Sequence, residues 1–209
     1  MGVGSQMDGK DSQQLAQDKK QLIIDAAFEV LGEKGMAKTS IKEIAAQAGI
    51  TPGLVHYHFK NKDELLAAVV RSMSAKIGKN WQRLRESEPN ASFMDIAFNA
   101  LETQVSVNEK LYRARFELYA AAMQNDAIRP EIVKVLTQAR KGMAISFAKS
   151  GFDNTKDHEP LASILYACLD GLAMQAIVDP KFDLNPKHVE EPLISFQRFL
   201  NFPNIARSM

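Results

Sequence analysis

Residues 41–66 read IKEIAAQAGITPGLVHYHFKNKDELL, and their punctuation decides the fold. Ser40 followed three residues later by Glu43 is a capping box. Behind it, Ile41, Ile44, Ala45 and Ala48 form the apolar stripe of a short helix that Gly49 ends. Thr51 caps a second short helix whose first residue is Pro52, where the missing N–H costs nothing. That helix reaches only to Phe59, because Asn61 and Glu64 form another capping pair that starts a long helix at Lys62. Helix, glycine turn and helix within about twenty residues is the spacing of a helix-turn-helix, whose first helix braces the second in the major groove of DNA.

If Val55 and Phe59 form the buried side of the second helix, then Pro52, Gly53, Leu54, His56 and Tyr57 spread over its outer side. Tyr and His hydrogen-bond phosphates or base edges, and Leu54 offers an apolar surface to a thymine methyl. Gly53 lets a phosphate approach the helix N-terminus, and Lys42, Lys60 and Lys62 supply charge for the DNA backbone. From Lys38 to Lys62 there are four Lys against one Glu, in a chain otherwise balanced at 26 Lys+Arg and 25 Asp+Glu. So small a local excess calls for two copies, and a homodimer on a two-fold, double-stranded DNA operator is the physical expectation.

Outside this segment, apolar residues recur at three and four residue spacing with almost no strand signal, so the 209 residues read as all-α. Ile23, Ile24, Ala27, Phe28, Val30 and Leu31 make an amphipathic helix over 16–34, which Gly35 stops. Further helices are expected over 62–86, 92–106, 109–124, 130–149, 160–178 and 186–201, for about nine in all. The expected organisation is a disordered tail over 1–15, a helix-turn-helix domain over 16–65, and a helical ligand-binding and dimerisation domain over 66–209. Cys168 is the only cysteine, so no internal disulfide forms and a reducing compartment is allowed. Because no stretch approaches roughly 18 uninterrupted apolar residues and the first residues lack a signal-peptide pattern, a cytoplasmic location without a membrane partner is expected.

The run IIDAAFEVLGEKGMAKTSIKEIAAQAGITPGLVHYHFKNKDELLAAVV, Ile23 to Val70, resembles the N-terminal domain of the tetracycline-repressor (TetR) family of bacterial transcription regulators over its full length. Ala-Ala on the first helix, Lys-Gly after it, Thr-Ser-Ile before the second, Ala-Gly in the turn and an aromatic-rich third helix ending in Phe-Lys-x-Lys occur in the family's order. The resemblance implies DNA contacts from Lys42, Thr51, Pro52, Gly53, Leu54, His56, Tyr57 and His58, with Lys62 matching a phosphate contact. His56 stands where many relatives carry Tyr, and Leu54 where they often carry Thr or Asn, so no relative's operator sequence transfers. The phrases LYRARFELYAAAMQNDAIRPEI and LDGLAMQAIVDPKFD resemble the subgroup of the choline-responsive regulator of betaine synthesis.

Leu161, Leu165, Cys168 and Leu172 form one stripe, and Val189, Leu193, Phe196 and Leu200 another. The resemblance implies that such a pair builds a four-helix bundle with a second copy; packing inside one protomer is the alternative. Phe98, Arg113, Phe116, Tyr119, Met123, Met143, Phe147 and Met174 are candidates for lining a pocket for an unidentified small-molecule effector, and plain core is the competing reading. If Arg113 or Arg115 is buried, Glu102 and Glu117 are the internal partners to look for. No cofactor motif, metal-ligand pair or nucleophile elbow occurs, and His56 and His58 point to different sides of a helix. An enzyme, or an interaction module that keeps the helix-turn-helix as scaffold, is therefore the secondary reading beside a ligand-responsive repressor.

Overall fold

The structure, a computed structural model, describes residues 4–87, 105, 108–149, 158–182 and 184. Seven α-helices stand among them: α1 (Gly4–Lys34), α2 (Ile41–Gln47), α3 (Pro52–His58), α4 (Lys62–Ser87), α5 (Glu109–Gln124), α6 (Arg129–Lys149) and α7 (Glu159–Val178). A single 3-10 turn, Met36–Lys38, joins α1 to α2, and no strand occurs among the described residues. The helix expected over 186–201 lies outside the described residues, as does that over 92–106 except for Val105, which is helical.

Helix α1 starts at Gly4, well ahead of the expected start at 16, so residues 4–15 are helical where a disordered tail was expected. Its N-terminal part is rich in Gln, Asp and Lys without an apolar stripe, and an amphipathic pattern cannot report such a helix. The bond from Gln14 Nε2 to Asp18 Oδ1, 2.8 Å, supports this part locally across one turn. At the other end Gly35, at φ 73°, stops the helix as expected, and its N–H bonds the Leu31 carbonyl at 3.0 Å.

Two compact units divide the chain: Met1–Asn80 with Lys110–Ala139, and Trp81–Glu109 with Arg140–Met209. In the first unit, Ile23, Ala27, Val30 and Leu31 of α1 bury against Ile44, Val55 and Phe59. Leu65, Leu66, Val69, Val70 and Met73 of α4 join the same core, as do Ala114, Leu118 and Ala122 of α5. The helix-turn-helix therefore belongs to a larger body than the 16–65 segment expected from the sequence. The apolar stripe of α4 packs on α1 and the two short helices α2 and α3, and α5 completes the cover.

In the second unit α7 turns Ala162, Leu165, Leu169 and Ala173 inward, and Met143 is buried as well. By length and composition α7 is apolar enough to cross a membrane, although Asp170 interrupts its apolar run. A scan for uninterrupted apolar residues passes over this helix for that reason.

Candidate nucleic-acid interface

The cap of α2 forms as expected on one side: Ser40 Oγ accepts the Glu43 N–H at 3.2 Å. The Glu43 carboxylate turns to Lys34 Nζ at 2.6 Å, which ties α2 to α1 and holds the carboxyl below the usual carboxylate range. After α2, Gly49 takes φ 65° and the Ile50 N–H reaches the Ala45 carbonyl at 3.0 Å, closing the turn that aims α3. A side chain is excluded there by the backbone angle alone, since an added Cβ would meet nothing within 4 Å.

Helix α3 is anchored by Val55 and Phe59, 0% and 2% exposed. Thr51 occupies the N-cap position, but its hydroxyl makes no cap hydrogen bond. Pro52 removes one orphan N–H and the Thr51 carbonyl accepts the Leu54 N–H at 3.0 Å, which leaves the hydroxyl for solvent or a ligand. Pro52, Gly53, His56 and Tyr57 stand on the exposed side, with Tyr57 80% exposed, and Leu54 and His58 are half-buried beside them. The Tyr57 and His58 rings meet edge to face, centroids 5.1 Å apart. Lys42 is exposed on the bracing helix.

The start of α4 is capped by Asn61, whose Oδ1 accepts the Glu64 N–H at 2.9 Å. Glu64 returns its carboxylate to the Lys60 N–H at 2.8 Å. Lys62 is half-buried, with Nζ 3.5 Å from the Met36 carbonyl oxygen. Sequence reasoning missed Lys20: its Nζ stands 5.3 Å from the Phe59 ring centroid and brings a cation of α1 to the C-terminal end of α3. Its only signal was the Lys19-Lys20 pair just ahead of the apolar stripe of α1.

The effector candidates divide differently. On α5, Tyr112, Arg115, Phe116 and Tyr119 share one face. The buried Arg115 guanidinium lies 4.8 Å from the Tyr112 centroid and 5.6 Å from those of Phe116 and Tyr119. Glu117, expected as a possible arginine partner, instead accepts the Met36 N–H at 3.1 Å, and Glu102 lies outside the described residues. Arg113 is exposed, as are Met123 at 74% and Met174 at 50%, where enclosed side chains were expected of a pocket lining. Arg113 sits one position off the aromatic stripe, Met123 is in the last turn of α5, and Met174 lies just beyond the inward stripe of α7. Met143 is core in the second unit; Phe98 and the Phe147 side chain lie outside the described residues.

On α7, Leu165 is 6% exposed and is not a surface residue, contrary to the expected dimer face. Two apolar stripes lie side by side on this helix, and the inward one is Ala162, Leu165, Leu169 and Ala173. Leu161, Cys168 and Leu172 are half-buried at its margin. The exposed apolar side chains are Ile164, Ala167, Met174 and Val178. Val189, Leu193, Phe196 and Leu200 lie outside the described residues.

Comparison with known proteins meets this geometry at both ends of the chain. Residues 23–69 match the bacterial regulatory proteins of the tetR family, and residues 88–196 match the tetracycline repressor-like C-terminal domain. The transcriptional regulator AcrR of Shigella flexneri is 30% identical over 100 residues, 46% of either chain, so the match spans just under half of that relative. BetI of Rhizobium meliloti is 24% identical over 159 residues, covering 74% of this chain and 75% of BetI. Among solved structures, the multidrug binding protein EbrR complexed with imidazole is 26% identical, with a TM-score of 0.64 over 85% of this chain and 93% of EbrR. EbrR complexed with ethidium matches alike. Members of the family are transcription regulators and not enzymes. A helix-turn-helix braced as the sequence predicts, followed by a helical C-terminal part that matches the same family, makes this chain a member of the TetR family of DNA-binding transcription regulators.

Proposed function

We propose that the protein is a cytoplasmic, homodimeric repressor that leaves a palindromic operator when a small molecule binds its helical C-terminal part. The observation that carries the reading is the outer face of α3. Exposed Pro52, Gly53, His56 and Tyr57, the idle Thr51 hydroxyl and Lys42 offer hydrogen bonds and charge that the fold itself does not use. Lys62 supplies a phosphate contact at the edge of that face, and Leu54 and His58 contribute their exposed parts. A Cβ on Gly53 would meet nothing closer than the Thr51 hydroxyl at 3.9 Å, so the bare helix start suits the approach of a phosphate.

Dimerisation is supported by the outer side of α7. Ile164, Ala167, Gly171, Met174 and Val178 are spaced three, four, three and four, a seam whose small residues let a partner helix approach closely. The Val189–Leu200 stripe would extend the seam. A two-fold operator requires the dimer to present its two α3 helices to successive major grooves, about 34–36 Å apart. For the effector, the ring-lined face of α5 offers stacking surface, and EbrR is solved with ethidium. A planar aromatic effector is the class this face suits, with Phe116 and Tyr119 as its contacts. To empty the operator it must favour the non-binding spacing by several kcal/mol.

The test is retention of duplexes on immobilised protein, first from a random pool and then with ethidium or another planar aromatic added, beside an unrelated DNA-binding protein on its own operator as the control for release by intercalation into the duplex. The proposal expects retained palindromes that the additive elutes. Retained palindromes that no planar aromatic elutes would contradict the effector reading, and no retained duplex would contradict the repressor reading.

A further inference from the structure

Glu117 belongs to α5, yet its carboxylate is bonded to the helix-turn-helix: Oε2 accepts the Met36 N–H at 3.1 Å. The Met36 carbonyl in turn accepts the Thr39 N–H at 3.2 Å and stands 3.5 Å from Lys62 Nζ, the long limit of a hydrogen bond. A second hold comes from Asn125, just past α5, whose Nδ2 donates to Asp63 Oδ1 at 2.9 Å. Lys62 therefore stands between two points that one helix grips. α5 is itself seated on α1. A Cβ on Gly32 would come 2.8 Å from the Lys110 carbonyl oxygen, and Lys110 Nζ bonds Glu29 at 2.8 Å and Glu33 at 2.5 Å.

The turn does not need Glu117 in order to close. Thr39 Oγ1 donates to the Gly35 carbonyl at 2.8 Å, and the Gly35 N–H already has Leu31. A half-buried carboxylate spent on a single amide is poor stabilisation beside an apolar side chain of similar size. What the bond adds is placement: it sets where the Met36 carbonyl stands, and with it the ammonium of Lys62.

We propose that Glu117 is a positioning residue for DNA binding, acting through Met36 to hold Lys62 where it meets a phosphate of the DNA backbone. The inference rests on the reading of Lys62 as a phosphate contact. It makes the DNA-binding face depend on the seating of α5, the helix that carries Phe116 and Tyr119.

The salt dependence of operator affinity separates placement from stability, because removing a phosphate contact lowers the slope of log K against log salt by about 0.9. Full-length Lys62→Ala, which takes one ammonium off the DNA backbone in each protomer, is expected to lower the dimer's slope by about 1.8. Glu117→Leu is expected to lower it by the same amount, the double variant no further, and Glu117→Gln, which keeps an acceptor for the Met36 N–H, to restore most of it. If Glu117→Leu does not fold, Glu117→Ala takes its place in the comparison. A role confined to stability would lower the melting temperature and leave the slope intact, which overturns the proposal. So would a double variant in which the two effects on the slope add. An unchanged slope in Lys62→Ala itself would remove the phosphate reading on which the inference stands, a failure distinguishable from that of Glu117 alone.

Discussion

Tyr57 is the side chain at which folding and DNA binding separate most cleanly. It is 80% exposed, and its described ring contact is the edge-to-face pair with His58 at 5.1 Å. Truncation to Ala therefore removes little that the fold uses: about 0.5 kcal/mol for an exposed site, with up to about 1 kcal/mol more for the ring pair. A chain of this length then loses about 3–6 °C of melting temperature at most. On DNA the same ring is worth about 1–3 kcal/mol per half-site, and a dimer carries two, so affinity falls by about 2–6 kcal/mol, roughly 30-fold to 10⁴-fold. Fluorescence anisotropy on the selected operator at one fixed salt concentration reads the affinity, with calorimetry and sedimentation as controls for fold and assembly. An affinity within about threefold of the parent protein would refute the assignment of α3 as the reading helix.

Leu118→Ala opens a cavity in a core position that is 0% exposed and should cost about 2–5 kcal/mol in chemical denaturation, whereas Met123→Ala, 74% exposed, should stay within about 0.5 kcal/mol. Removing the α2 cap with Ser40→Ala should cost about 1 kcal/mol by the same assay. Gly49→Ala, forced to keep φ 65°, should lose about 1–2 kcal/mol from backbone strain alone, since nothing lies close to the new Cβ. The Lys110 contact holds the Glu33 carboxyl below its ordinary range, so its contribution is full above that range and is lost as pH falls through the lowered value. Lys110→Met should therefore flatten the acid limb of stability against pH, and an unchanged acid limb would argue that the exposed pair contributes nothing.

The parts legible in the sequence were those with local chemical signals. Ser40, Gly49, Pro52 and Asn61 act within one turn of themselves, and the helix-turn-helix boundaries they predict agree with α2, α3 and the start of α4. The early start of α1 carried no apolar period to read. On α7 nearly every position is apolar or small, so periodicity alone could not rank the stripe of Leu161 and Cys168 against that of Ala162 and Leu169, and Leu165 lies on both. Arg113, Met123 and Met174 stand exposed rather than enclosed for a similar reason, since one position along a helix turns a side chain by about 100°. The Glu117–Met36 bond joins residues 81 apart, and no local spacing announces it.

The central claim, that two copies of α3 read a two-fold operator, is tested most directly by selection of duplexes from a random pool with the parent protein and Tyr57→Ala in parallel. The account predicts a palindrome with half-sites about one or more helical turns apart from the parent protein, and from the folded, dimeric variant an affinity for that palindrome at least about 30-fold lower. The same palindrome bound by both proteins with affinities within about threefold, or none recovered with the parent, would contradict it.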